Sequence, residues 1–271
     1  MKFQEIKNKL KVVLIAMLLT ILAFVFGVGV YKDHQLSKVN AKAAEVFNKK
    51  LQENNTKQVD EGKVVQQETA KQDVNKYKDK VWYAIGDTIT AENIYPKYLK
   101  EMLQLKSYVN DSIRGQQMRT MADRVTTANL AKVDLVTIFG GANDYALGKP
   151  LGTIADTKSI NTFYGNTQRV IDKIKVANPK VEIVFLTPTK SGKFSYIPVY
   201  PAANSSGLKL EQYVQAIKDV CSKNSVKVVD LFNLSGIDQS NLSTYTRDNL
   251  HPNEAGSKKI DQVIQAALLG V

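Results

Sequence analysis

Val-Trp-Tyr-Ala-Ile-Gly-Asp-Thr-Ile-Thr, residues 81–90, is the stretch on which the reading of the whole chain turns. A polar, lysine-rich run ends just before it, five apolar residues follow, and a Gly-Asp-Thr sequence then breaks the pattern. A short continuous apolar run of this kind, closed by turn residues, fits a strand buried on both faces. Working outward, comparable runs return at Ser107 to Val109, Leu135 to Phe139, Val181 to Leu186 and Val226 to Val229. Longer amphipathic stretches lie near 96–105, 119–131, 160–177 and 210–222, with a last one from about 253 to 269. Five strands in strict alternation with five helices imply a parallel sheet, because each parallel pair needs a crossover and crossovers are right-handed. The expected fold class is therefore α/β, a three-layer α/β/α sandwich with a five-stranded parallel sheet over residues 81–271. In such sheets the ligand crevice lies at the carboxyl ends of the strands.

The polar residues of interest cluster just after those ends. Strand one runs into Gly86-Asp87-Thr88-Ile89-Thr90, and strand two is followed by Asn110 and then Gly115. Strand three runs into Gly140-Gly141-Ala142-Asn143-Asp144, and a long loop after strand five ends Asp248-Asn249-Leu250-His251-Pro252. Four separated segments thus bring a hydroxyl, a glycine amide, a carboxamide and an acid/imidazole pair to one sheet edge. Ester hydrolysis needs an alcohol activated by a base, an acid to orient that base, and donors for the oxyanion that forms. His251, the only imidazole in 81–271, can accept and return the proton, and Asp248 on the same loop can hold its tautomer. Plainer roles exist for each residue alone. Gly86 and Gly141 suit tight turns, Asn143 and Asp144 suit helix caps, Asp248 suits an Asx-turn, and His251 suits an ordinary loop.

The order and spacing of these blocks resembles the SGNH, or GDSL-type, hydrolase family, and the likeness covers essentially all of 81–271. The matches are Gly86-Asp87 with Thr88 at the usual serine position, Gly115, Gly141-Ala142-Asn143-Asp144, and Asp248 with His251. The resemblance implies a flavodoxin-like sheet, Thr88, Asp248 and His251 as catalytic residues, and an acyl-enzyme intermediate. It assigns the oxyanion hole to the Thr88 and Gly115 backbone amides and the Asn143 side chain, with Gly86, Asp87, Gly141 and Asp144 in support. The departure is Thr88, whose extra methyl stiffens χ1 and crowds the line of attack on a carbonyl. Ser112 is a less favoured substitute nucleophile.

Composition sets the context. The chain has 271 residues, 44% hydrophobic and 23% charged, with a net charge of +11, and these values exclude wholesale disorder and a polytopic membrane protein. One cysteine forbids an intramolecular disulfide, and with two histidines a transition-metal centre is not expected, nor any other cofactor. Residues 12–31, VVLIAMLLTILAFVFGVGVY, carry no charge and at ~1.5 Å per residue match a ~30 Å bilayer core. Lys2, Lys7, Lys9 and Lys11 precede the run against Glu5 alone, so residues 1–11 are expected in the cytoplasm and 12–31 as a single-pass signal anchor. A cleaved signal peptide ending near Ala41-Lys42-Ala43 is the competing reading, but the apolar run is too long for one. Residues 32–80 read as a polar, partly helical stalk with 11 basic and 8 acidic residues, leaving 22 and 17 in 81–271. That weak surplus, outside the membrane, fits anionic cell-wall polymers and not nucleic acid.

The expected function is a membrane-anchored, extracytoplasmic esterase of a bacterial cell. Its substrate would be an acyl ester of carbohydrate or lipid, with an O-acylated wall glycan preferred because a stalked domain suits a surface-bound substrate. The alternatives are a catalytically silent surface binding or scaffold protein, a lipase or lysophospholipase, and an acyltransferase. The loop from Lys190 to Gly207, with Phe194, Tyr196 and Tyr200, and the segment Leu147 to Thr157 are the candidate substrate rims. Cys221, on an apolar helical face, and Trp82, in a buried-strand pattern, are expected in the core.

Overall fold

The computed structural model describes residues 75–271; the candidate anchor at 12–31 and the polar stretch through residue 74 lie outside the described residues. Among the described residues no helix is long and apolar enough to cross a membrane.

The strands are β1 (Val81–Gly86), β2 (Ser107–Ser112), β3 (Leu135–Phe139), β4 (Glu182–Leu186) and β5 (Lys227–Val229). All neighbours are parallel, in the order β2-β1-β3-β4-β5. The chain steps outward from β1 to β2, then crosses back over β1 to β3. That reversal is the topological switch point of a doubly wound sheet, and it opens a crevice beyond the carboxyl ends of β1 and β3. Every residue of the central strand β3 is buried, which is why Leu-Val-Thr-Ile-Phe reads as an uninterrupted run. The edge strand β2, Ser-Tyr-Val-Asn-Asp-Ser, is mostly half-buried. Its pairing with β1 continues to Gly86 opposite Ser112, so Asn110 sits inside the strand and not after it. Polar residues are tolerated there because an edge strand is covered less.

Two helical layers flank the sheet. Alternate residues Tyr83, Ile85, Val136, Ile138 and Phe185 share one buried cluster with Met121, Ile171 and Ile217. These last three lie in helices α3 (Met118–Arg124), α6 (Phe163–Ala177) and α7 (Leu210–Lys223). The opposite face carries Trp82 against Tyr95, ring centroids 6.4 Å apart, under α2 (Ile94–Met102) and the last helix α10 (Glu254–Leu269). The period-2 alternation of strand side chains therefore generates the three layers. Trp82 is fully buried and its indole N–H donates to Thr137 Oγ1 at 2.9 Å. Cys221 is fully buried as well, and burial pushes its thiol pKa up.

Strict alternation with five helices does not hold. Besides α1 (Thr88–Ala91), α4 (Thr127–Leu130) and α5 (Ala142–Ala146), the described residues form the short helices α8 (Leu231–Leu234) and α9 (Leu242–Tyr245). The expected single helix over 119–131 is split into α3 and α4. Val125 is extended at its break, and the Thr126 side chain caps α4 by accepting from Asn129 N at 3.2 Å. Two β-branched residues and a local capping oxygen outcompete helix continuation there.

The fold also reaches back into the polar stretch. Tyr77 is buried and its hydroxyl donates to Glu182 Oε1 at 2.8 Å, while Asn75 Nδ2 donates to the Leu103 carbonyl at 2.8 Å.

Candidate active site

Two segments of the site are placed directly by strand ends, those of β1 and β3. β1 delivers Gly86 and Asp87 directly to α1, whose first residue is Thr88. Asp87 caps that helix, its Oδ1 accepting from Ile89 N at 3.2 Å. Gly86 is required for space: a Cβ there would lie 2.1 Å from Thr90 Oγ1 and 3.0 Å from the Phe139 carbonyl oxygen. Only a bare backbone lets α1 fold back so tightly over β1. β3 ends at Phe139, and Gly141, with φ of 110°, turns the chain left-handed into α5, which carries Asn143 and Asp144.

The structure brings the candidate residues together in pairs. The Gly115 N–H donates to Thr88 Oγ1 at 3.2 Å, joining the second block to the first. Asn143 Nδ2 donates to Asp87 Oδ2 and to the Gln116 carbonyl, both at 3.2 Å, joining the third block to both. Asp248 Oδ2 lies 2.7 Å from His251 Nδ1, while its Oδ1 accepts from the Leu250 amide at 3.2 Å and the His251 amide at 2.8 Å. Asp248 thus forms the Asx-type turn that a plain loop role would predict and also grips the imidazole. Burial works against the Asp248 carboxylate, but the amide and ring of His251 hold its pKa below the ordinary value. An ionised carboxylate only accepts, so Nδ1 carries a proton, which in the neutral ring puts the lone pair on Nε2. Ser112 turns away, its hydroxyl donating to the Ala84 carbonyl at 3.4 Å.

Two further carboxyls lie beneath the site. Burial pushes Asp87 up to about 6, against the Ile89 amide and Asn143, both of which favour its ionised form. Burial likewise pushes Asp144 up to about 7, opposed by the Met118 N–H, which donates to its Oδ2 at 2.9 Å. Asp144 therefore caps α3 from another segment and not its own helix.

The rim loop divides between its two candidate roles. Phe194 meets the His251 ring edge-on, 4.8 Å between centroids at 90°, and Tyr200 packs on Phe232 at 5.5 Å. Tyr196 is 54% exposed, yet its hydroxyl donates to Asn143 Oδ1 at 3.2 Å and so orients that carboxamide. Tyr196→Phe is expected to lower ester turnover by up to ~10-fold, one hydrogen bond's worth, with the melting temperature unchanged; steady-state kinetics and circular dichroism check it.

Sequence reasoning missed Glu92. Its Oε1 accepts from Arg114 Nη1 at 3.0 Å and its Oε2 from Arg247 Nη2, linking residues 22 and 155 positions away. No local pattern marks such a pairing, although both arginines directly precede residues already singled out, Gly115 and Asp248.

The model of the GDSL-like lipase/acylhydrolase family matches residues 84–259, and the chain belongs to that family. The class of activity this supports is hydrolysis of ester bonds. Among solved structures, a protein from Lactobacillus plantarum is similar at 27% identity with a TM-score of 0.63, covering 70% of this chain and 96% of its own. A possible lipase from Chitinophaga pinensis is 24% identical with a TM-score of 0.56, covering 71% and 97%. A lipase/acylhydrolase from Enterococcus faecalis is 20% identical with a TM-score of 0.54, covering 70% and 96%. The last two likenesses are of fold alone. No curated protein matches the chain.

Proposed function

We propose that the chain is a membrane-anchored esterase that deacylates an O-acylated carbohydrate such as a cell-wall glycan, through an acyl-enzyme on Thr88. Thr88 Oγ1 attacks the ester carbonyl carbon while its proton passes to His251 Nε2. The tetrahedral oxyanion is received by the Thr88 and Gly115 amides and the Asn143 side chain. As the first amide of a helix, that of Thr88 has no intrahelical partner. Collapse breaks the bond to the alcohol, which takes the proton from His251. Water, deprotonated by the same imidazole, then cleaves the acyl-enzyme.

The observation that carries this reading is the 2.7 Å contact of ionised Asp248 with His251 Nδ1, which leaves Nε2 as the basic nitrogen. The Gly115 N–H, bonded to Thr88 Oγ1 in the free site, lies beside the reacting oxygen, from which it can pass to the oxyanion. The uncharged run at 12–31 with its basic flank supports the anchor, and the polar stretch after it supports a substrate fixed at the surface.

Thr88→Ser tests the proposal on p-nitrophenyl acetate and acetylated glycans. Removing a methyl that misplaces the oxygen should raise turnover by up to ~100-fold. One observation favours a silent binding module: in the free site the Gly115 N–H and both Asn143 amide hydrogens are already bonded within the protein. Absence of hydrolysis by both the wild type and Thr88→Ser would select it, and hydrolysis of long-chain but not acetyl esters would select a lipase.

A further inference from the structure

The hydrolytic scheme leaves Glu92 without a task, although two arms of the site meet on it. Glu92 directly follows α1, and its backbone N–H donates to the Thr88 carbonyl at 3.0 Å. Its carboxylate is therefore fixed relative to Thr88 by main chain. The side chain is 8% exposed, whereas those of Arg114 and Arg247 are 67% and 46% exposed. The carboxylate is the buried hub, and the two guanidinium groups close over it from separate loops. Arg114 is joined by one peptide bond to Gly115, whose amide meets Thr88 Oγ1. Arg247 is joined to Asp248, and its own N–H donates to the His251 carbonyl at 2.9 Å. Burial works against the Glu92 charge, but Arg247 and Arg114 together hold its pKa below the ordinary value.

Exposed ion pairs are worth little, but a buried carboxylate that loses its partners is costly, so this junction has a defined geometry to return to. The loops it ties carry the amide facing the Thr88 hydroxyl and the acid/base pair. An error of about 1 Å between such groups costs up to ~100-fold in rate.

We propose that Glu92 is a positioning residue for ester hydrolysis, setting the separation of the Gly115 amide and the Asp248/His251 pair around Thr88 through Arg114 and Arg247. The rate effect rests on the assignment of Thr88 and His251 as catalytic; the geometric effect does not. The test uses the full chain in detergent, with Glu92→Gln, Arg247→Met and the double variant. On p-nitrophenyl acetate each single change is expected to lower kcat by about 10- to 100-fold at a temperature where its melting curve shows it folded, leaving KM within about 2-fold. The double variant should be no worse than the poorer single one, because both break the same tie. Unchanged kcat, multiplicative losses, or losses that follow unfolding would overturn the proposal. The same variants are read by proton NMR on a background in which His34, the other histidine, is replaced by Gln. The His251 Nδ1 proton should give a downfield signal that exchange with water broadens in Glu92→Gln. A signal as sharp as that of the parent overturns the clamp, whatever the esterase assays give. A broadened signal in a protein that cleaves no ester would sustain the clamp and remove the catalytic reading.

Discussion

Alanine at position 251 is expected to lower the turnover of a p-nitrophenyl ester by two to four orders of magnitude, ~10²- to 10⁴-fold, the usual worth of general acid–base catalysis. His251 is the only imidazole among residues 75–271, so no neighbour can take over proton transfer. The loop should survive the change. Asp248 Oδ1 still accepts from the amides of residues 250 and 251, and the bridge between Thr246 and Pro252 closes the turn behind it. Loss of the ring leaves Phe194 one neighbour fewer, a packing defect worth about 1 kcal/mol of stability and not of chemistry. Steady-state kinetics with a parallel melting curve separates the two effects. Activity equal to that of the wild type would remove His251 from the mechanism and the Asp248 pairing with it.

Asp261→Asn is expected to stabilise the protein strongly at alkaline pH. Asp261 lies on α10, fully buried, and among the described residues neither carboxyl oxygen has a hydrogen-bond partner. Its influence on Tyr95 places it near the contact of α10 with α2. Burial pushes its pKa up to about 9 from an ordinary 3.8. Above the ordinary value the unfolded chain holds this group ionised while the folded chain keeps it protonated, so folding must take up a proton. The contribution of Asp261 is therefore most favourable below about pH 4 and is lost as pH rises through about 9. At pH 7 the penalty is on the order of 4 kcal/mol. Asparagine matches the shape and cannot ionise. The variant should melt about 10 °C higher than the wild type at pH 8, and the two should converge near pH 4. Equal melting curves at both pH values would show that Asp261 is ionised and paired in solution.

Most of the frame is legible in the sequence because strands buried on both faces are continuous apolar runs. Leu135–Phe139 is read to the residue, and the α7 start at Leu210 likewise. The edge strand is cut short in the reading, since half of β2 is polar and its pairing depends on a neighbour that is not adjacent in sequence. The helices α1 and α5, which carry Thr88 and Asn143, escape periodicity because four or five residues complete barely one turn. Motif spacing singles out their residues as candidates all the same, since Gly86 and Gly141 mark where the backbone must turn or come close. The Glu92 junction was illegible for a different reason. Three residues spread over 156 positions become neighbours only when β1, the loop after β2 and the last loop converge. Tyr196 sits between these cases: its loop reads as a rim, but its hydroxyl meets Asn143 across 53 positions, which no local pattern marks.

Where the acyl group goes is the decisive quantity, and peptide mass mapping of the full chain, acid-quenched during turnover of a p-nitrophenyl ester, reads it directly. An acyl increment on the peptide containing residue 88 in the wild type and in Thr88→Ser, absent in Thr88→Ala, is the predicted result. Ester cleavage with the increment on Ser112, or with an unchanged rate in Thr88→Ala, would contradict it.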